Sequence, residues 1–166
     1  MRTLLIGGAL GVLVIALLGC GSSNATSSEA KAAERRVDLY EISQLERAFH
    51  EAISKKDIDQ LVSLFAPHAT GTFGPGKTVS GQEQIRQVWL KSKAFSPETH
   101  WLSDHPAYKL KVTVDGDRGT LHFECHFIDV KTAKVAAVTA GNLDVARIDS
   151  RWRITNFVGS TSELTI

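Results

Sequence analysis

The stretch FHEAISKKDIDQLVSLFAPHAT, Phe49–Thr70, holds the end of one helix, the start and stop of a second, and the break between them. Its first part completes an apolar stripe begun upstream. Leu39, Ile42, Leu45, Phe49, Ala52 and Ile53 recur at three- and four-residue spacing, which puts them on one helix face. Lys55 and Lys56 follow where the helix dipole is negative. Asp57, with Gln60 three residues on, is a capping signal for a shorter helix carrying Leu61, Val62, Leu64 and Phe65. Pro67 ends it, because proline has no amide proton to donate to the preceding turn. Asp38 with Glu41 predicts the start of the first helix by the same capping logic.

Working outward, Gly71–Gly76 reads as a short strand and turn around Phe73. Ser80 and Glu83 open a third helix, with Ile85, Val88 and Trp89 on one face. From His100 the period changes to two. Tyr108, Leu110, Val112 and Val114 alternate with Lys109, Lys111 and Thr113, as in a strand with one buried face. Asp115-Gly116 is a hairpin turn, and Leu121, Phe123, Cys125 and Phe127 return in alternation with His122, Glu124 and His126. Val135–Ile148 forms another strand, expected to bend at Ala140-Gly141-Asn142 because glycine inside a strand often marks a bulge. Asp149-Ser150 turns the chain into a last strand, Trp152–Val158. Three helices followed by an antiparallel meander predict an α+β fold, with the helices packed on one face of a curved antiparallel sheet.

The N-terminus reads as an address. Arg2 precedes an uncharged apolar run, Leu4–Leu18, which leads to Leu17-Leu18-Gly19-Cys20. That is the three-part form of a secretory signal, shorter than the roughly 20 residues of a comfortable membrane span. The tetrapeptide resembles the bacterial lipobox. The resemblance implies that the Cys20 thiol receives a diacylglycerol, and that acylation anchors the chain at about 0.8 kcal/mol per buried CH₂. The expected organisation is therefore a signal peptide over residues 1–19, a lipidated cysteine and flexible tether over 20–37, and one domain over 38–166. The tether follows from the Ser, Ala and Gly content of Gly21–Ala33.

The bulk composition excludes some functions. Formal net charge is +1, and Arg2 is the sole charge in residues 1–19, so the processed chain is neutral. Nucleic-acid binding depends on a basic face, and no excess of cations exists to form one. Of the two cysteines, Cys20 lies at the processing site and Cys125 mid-strand among apolar residues, where a thiol packs as a small hydrophobe. No glycine-rich phosphate loop, nucleophile elbow or paired-cysteine metal motif is present, and no cofactor is expected.

The Phe49–Thr70 string resembles the opening of SnoaL-like domains in the nuclear-transport-factor-2-like superfamily. Gly81 at a helix start, the hairpin Val114-Asp115-Gly116-Asp117 and the closing Arg151-Trp152-Arg153-Ile154 extend the likeness over Asp38–Val158. It implies a cone-shaped fold, often dimeric, in which sheet and helices enclose a ligand cavity. Members include isomerases, dehydratases, cyclases and non-catalytic binders, so the motifs identify a fold and leave the chemistry open.

Strand parity supplies candidate site residues. If Leu110, Val112 and Val114 face the core, the same face runs back through Tyr108 to Asp104, Leu102 and His100, unless a bulge at Pro106 reverses it. His100 as general base and Asp104 as its orienting acid would then share the cavity, and the resemblance implies a histidine in the Thr99-His100 segment. Trp152 and Ile154 mark the inner face of the last strand and put Asn156 inside too. The expected ligand-binding set is His68, Phe73, Trp89, Tyr108 and Asn156. His50 and His105 are expected to be exposed. The row His122, Glu124, His126 should face outward, toward solvent or a second copy of the chain, without holding a metal.

These readings converge on a lipid-anchored, extracytoplasmic domain that binds an unidentified small molecule in its cone. If the domain is catalytic, proton-transfer chemistry of the lyase, isomerase or hydrolase kind is expected. The rival reading is a non-catalytic module for dimerisation or for pairing with another envelope protein. Replacing Cys20 with Ser should release the protein from membranes or leave an unprocessed precursor, as membrane fractionation and labelled-lipid incorporation will show. Unchanged lipid labelling in that variant excludes Cys20 as the attachment point.

Overall fold

A computed structural model describes residues 23–76, 78–104 and 107–164, with side chains from residue 27 onward. Helix α1 spans Ser23–Lys55, α2 Ile58–Ser63 and α3 Gln82–Leu90. The strands are β1 Phe65–Phe73, β2 Thr78–Ser80, β3 Trp101–Ser103, β4 Lys109–Asp115, β5 Arg118–Asp129, β6 Lys134–Ile148 and β7 Arg151–Glu163. They form one curved sheet in the order β2-β1-β7-β6-β5, with β3 and β4 both pairing with β5. The fold is α+β, as the sequence predicts.

The apolar stripe of α1 is buried: Ile42, Leu45, Phe49, Ala52 and Ile53 are at most 7% exposed. Asp57 caps α2 by accepting a hydrogen bond from the Gln60 amide at 2.9 Å. The β6–β7 turn has positive φ at both Asp149 and Ser150, the conformation that suits a two-residue hairpin to strand twist. Leu121, Phe123, Cys125 and Phe127 of β5 all face the core, at most 2% exposed.

Several expectations are corrected. Asp38 does not begin a helix, because α1 starts at Ser23. The segment expected as a tether is rich in alanine and long charged side chains, which favour helix, and its residues 27–37 lie exposed along that extension. Asp38 is instead a buried mid-helix acid bound by Arg147, which also reaches Asp117 at 3.1 Å and Glu41 at 3.6 Å. The Arg147 guanidinium lies 4.8 Å from the Trp152 ring centroid, so one cation joins α1, the β4–β5 turn, β6 and β7. Gly81, at φ 83°, precedes α3 in place of Ser80. The two residues linking β4 to β5 are Gly116-Asp117, one position later than expected, since Asp115 pairs with Arg118.

The sheet is mixed, not wholly antiparallel. β1 runs parallel to β7, a long-range pairing that hairpin signals do not encode. Pro67 lies inside β1, within its register shift between Phe65 and Thr70, where a missing amide proton is tolerated. The glycine at 141 marks no bulge: its register is continuous with both neighbours. A Cβ there would lie 2.5 Å from the Phe123 ring, so the glycine exists to admit that ring. Gly141→Ala should destabilise the fold by about 1–3 kcal/mol through overpacking. Denaturant unfolding measures this, and an unchanged midpoint would mean that the ring moves aside freely.

Candidate functional site

At the end of the sheet where β1 stops, α3 and the distal half of β7 leave an aromatic cleft of about 250 Å³. Its walls are Phe73, Trp89 and Phe157, with Val88 beside them and the hydroxyls of Ser92, Thr139 and Thr161 among its polar lining. Phe73 meets Trp89 edge-on at 5.6 Å and lies 5.1 Å from Phe157, so the three rings support one another. Gly159 at the base makes room for the Phe157 ring, which an added Cβ would strike. A second cleft of about 160 Å³ adjoins it and shares Trp89, Ser92 and Thr161. Two larger grooves, of about 560 and 600 Å³, lie at the β4–β5 hairpin end. Both linings carry charged side chains, with threonines as well in the 560 Å³ groove, and neither has an aromatic ring, so they offer less to a desolvated ligand.

Behind the cleft lies a buried polar cluster. His50 Nδ1 is 2.7 Å from Ser103 Oγ, and Cys125 Sγ lies 3.6 Å from each. His50 Nε2 sits 3.1 Å from Glu46 Oε1, one helical turn back, without hydrogen-bond alignment. Ser54 Oγ accepts from the Ser103 amide at 2.9 Å and ties α1 to β3. All four central side chains are at most 6% exposed. Burial pushes the Cys125 thiol up to about 12, so it is no nucleophile near neutral pH. The Phe49 ring lies between this cluster and the cleft, contacting His50 as well as Trp89 and Phe157, and the Phe123 ring packs against both His50 and Phe49.

The outer face of β5 carries His122, Glu124 and His126, side chains 25–32% exposed, facing outward as expected. His122 bonds Asn142 at 2.9 Å and approaches Glu124 at 3.2 Å, while His126 pairs with Asp104 at 3.3 Å and stacks on Tyr108. Lys109, His122 and Tyr108, in that order, hold the Glu124 carboxyl down at about 2 by hydrogen bonding. A carboxyl lowered on folding stabilises above its unfolded value. That small, solvent-screened contribution fades as pH falls from about 4.5 toward 2. Among the described residues no three histidine, cysteine or acidic side chains converge as a metal site.

The sequence-derived site is only partly assembled. Phe73 and Trp89 line the cleft. His100 and Asp104 do not: β3 buries Trp101 and Ser103 and exposes Leu102, so the alternate residues turn to the outer face. The break between β3 and β4 reverses the parity assumed across it, and Pro106 and His105 fall outside the described residues, as does Cys20. His100 lies near Asp129, whose carboxyl is held below the usual carboxylate range mainly by the Thr132 and Lys131 amides and only last by His100, whereas Asp104 pairs with His126. Tyr108 is 51% exposed, with its hydroxyl donating to Glu124 at 2.9 Å.

Asn156 also faces outward, donating to Asp144 at 3.1 Å and accepting from Thr70 at 2.8 Å. The extra residue Thr155 shifts register between Ile154 and Asn156 and puts Phe157 inside instead. His68 is exposed on β1. His50, expected in solvent, is 1% exposed. The missed signal was helical: positions 42, 46, 49, 50 and 53 share one face, so Glu46 and His50 belong to the apolar stripe by period.

A family model described as a SnoaL-like domain matches residues 34–158. The chain belongs to this family. No curated protein matches it in sequence. Among solved structures, it is similar to a nuclear-transport-factor-2-like protein with a cystatin-like fold from Novosphingobium aromaticivorans. The TM-score is 0.65 at 17% identity, covering 86% of this chain and 91% of that one. A protein of unknown function with a cystatin-like fold from Nostoc punctiforme gives 0.64 at 18%, covering 76% and 92%. A ketosteroid isomerase-like protein from Erwinia carotovora atroseptica gives 0.58 at 15%, covering 78% and 98%. At these identities the likeness is one of fold.

Ser103→Ala leaves His50 Nδ1 without its closest partner and should cost about 1–3 kcal/mol. Chemical denaturation measures the loss. A neutral result would show that Cys125 or water replaces the hydroxyl.

Proposed function

We propose that this SnoaL-like domain binds a small, largely apolar molecule in the cleft walled by Phe73, Trp89 and Phe157, and that lipid on Cys20 holds it on the extracytoplasmic side of a membrane. The observation that carries the binding reading is the lining itself: three mutually packed rings, with serine and threonine hydroxyls and no charged side chain. Such sites gain affinity from desolvated aromatic area and direction from a few polar groups. The anchoring rests on the Leu17-Leu18-Gly19-Cys20 signal and the apolar run before it.

Binding, rather than turnover, is the activity this geometry supports. The acid–base groups in the interior, Glu46 and His50, are buried behind the Phe49 ring, which separates His50 from the cleft. A proton-transfer reaction would require His50 to reach the bound molecule. His100 and Asp104, on the outer face, have lost the geometric basis for that role.

Naphthalene titrated into the purified full chain should bind saturably, followed by tryptophan emission and by NMR shifts at Phe73, Trp89 and Phe157. Thr161→Phe, which fills the cleft, should weaken binding at least tenfold with little change in Tm. Thr120→Phe, in the outer groove at the β4–β5 hairpin, should leave it unchanged. The opposite pattern would move the binding site to that groove.

A further inference from the structure

The two adjoining clefts share Trp89, Ser92 and Thr161, and the polar groups around them are unequally committed. Ser92 Oγ donates to the Trp89 carbonyl oxygen at 2.7 Å. Thr161 Oγ1 donates to Thr139 Oγ1 at 3.2 Å, and Thr139 Oγ1 passes its own proton to the Ser160 carbonyl at 3.1 Å. These hydroxyl protons are spent within the protein. The indole N–H of Trp89 is different: it is buried and has no hydrogen-bond partner among the described residues. A buried donor left unpaired is costly, and the indole ring that carries it packs against Phe49, Phe73, Phe95 and Phe157.

Each cleft alone is smaller than the roughly 300–1,000 Å³ of ordinary ligand pockets, and the two joined would fall inside that range. We infer that Trp89 is the movable wall between them: a ligand displaces the indole, merges the clefts and takes its N–H as the donor that fixes its orientation. The inference rests on the cleft being the binding site and goes further by specifying the ligand. It is uncharged, because the larger cleft offers no counter-ion, and the Lys93 and Glu163 of the smaller one already pair with each other at 2.5 Å. It carries a ring to pack against Phe73 and Phe157. It also carries a carbonyl, ether or hydroxyl oxygen to accept from Trp89, the buried donor beside it, since the hydroxyl protons of Ser92, Thr139 and Thr161 are already committed. A hydrocarbon of the same shape would leave the indole N–H unpaired.

The test uses two probes of one shape: 1-tetralone, which has the acceptor, and tetralin, which lacks it, each titrated into the purified full chain. One added hydrogen bond should make 1-tetralone bind about fivefold or more tightly than tetralin. In Trp89→Phe both should still bind, with the difference gone. Equal affinities in the unaltered protein, a comparison that needs no variant, would overturn the donor role of Trp89. So would a preference for 1-tetralone that survives in Trp89→Phe. Failure of both probes to bind at millimolar concentration would count against the cleft itself and take this inference with it. An added carboxylate that improves binding, tested with tetralin-1-carboxylate, would overturn the assignment to uncharged ligands.

Discussion

The position of one ring organises this molecule. Phe49, at the middle of the α1 stripe, lies within 5.6–6.4 Å of Trp89 on α3, Phe123 on β5, Phe157 on β7 and Phe65 on β1. Helix and sheet can meet around it only because two sheet positions lack side chains. Gly141 and Gly159 pair with each other across β6 and β7 and leave room for the Phe123 and Phe157 rings. Interiors packed this closely respond to a single added carbon, so the glycines are as necessary as the rings.

That aromatic centre decides where polarity can go. Toward the Asp149-Ser150 end, Arg147 gathers Asp38, Glu41 and Asp117 and covers Trp152, and the acids raise its pKa further. Behind the rings, Glu46, His50, Ser103 and Cys125 are confined where water does not reach, and their order depends on one another. On the convex face, Glu124 collects Lys109, His122 and Tyr108 in contact with solvent. The remaining edge, between α3 and the end of β7, has rings on its inner side, and the charges there, Lys93 and Glu163, pair with each other. An opening there is what the cone leaves when its core is centred on Phe49.

Membership of a family whose fold is shared by structures at 15–18% identity fixes the frame and not the chemistry. In this chain the frame holds its acid–base groups out of the cleft. The differences that matter for function are therefore few side chains, above all the face to which each polar residue turns.

The sequence by itself determined the elements that follow from neighbouring residues. The α1 stripe, the Asp57 cap, the β5 alternation and the Asp149-Ser150 turn all appear where their local chemistry puts them. Phe73 and Trp89 were legible as cavity wall because large rings at buried spacing have few other places to go. Tertiary structure alone decided the rest. Parity is a local count, and it holds only while the strand is continuous. The break between β3 and β4 turned His100 and Asp104 outward, and one extra residue at Thr155 did the same to Asn156. Those irregularities are set by how β5, β6 and β1 pair with the strands that bend, partners distant in sequence. His50 is buried for the complementary reason. Its helical position allowed burial, but whether a histidine could bear it depended on Ser103 and Cys125, which only folding brings to its side.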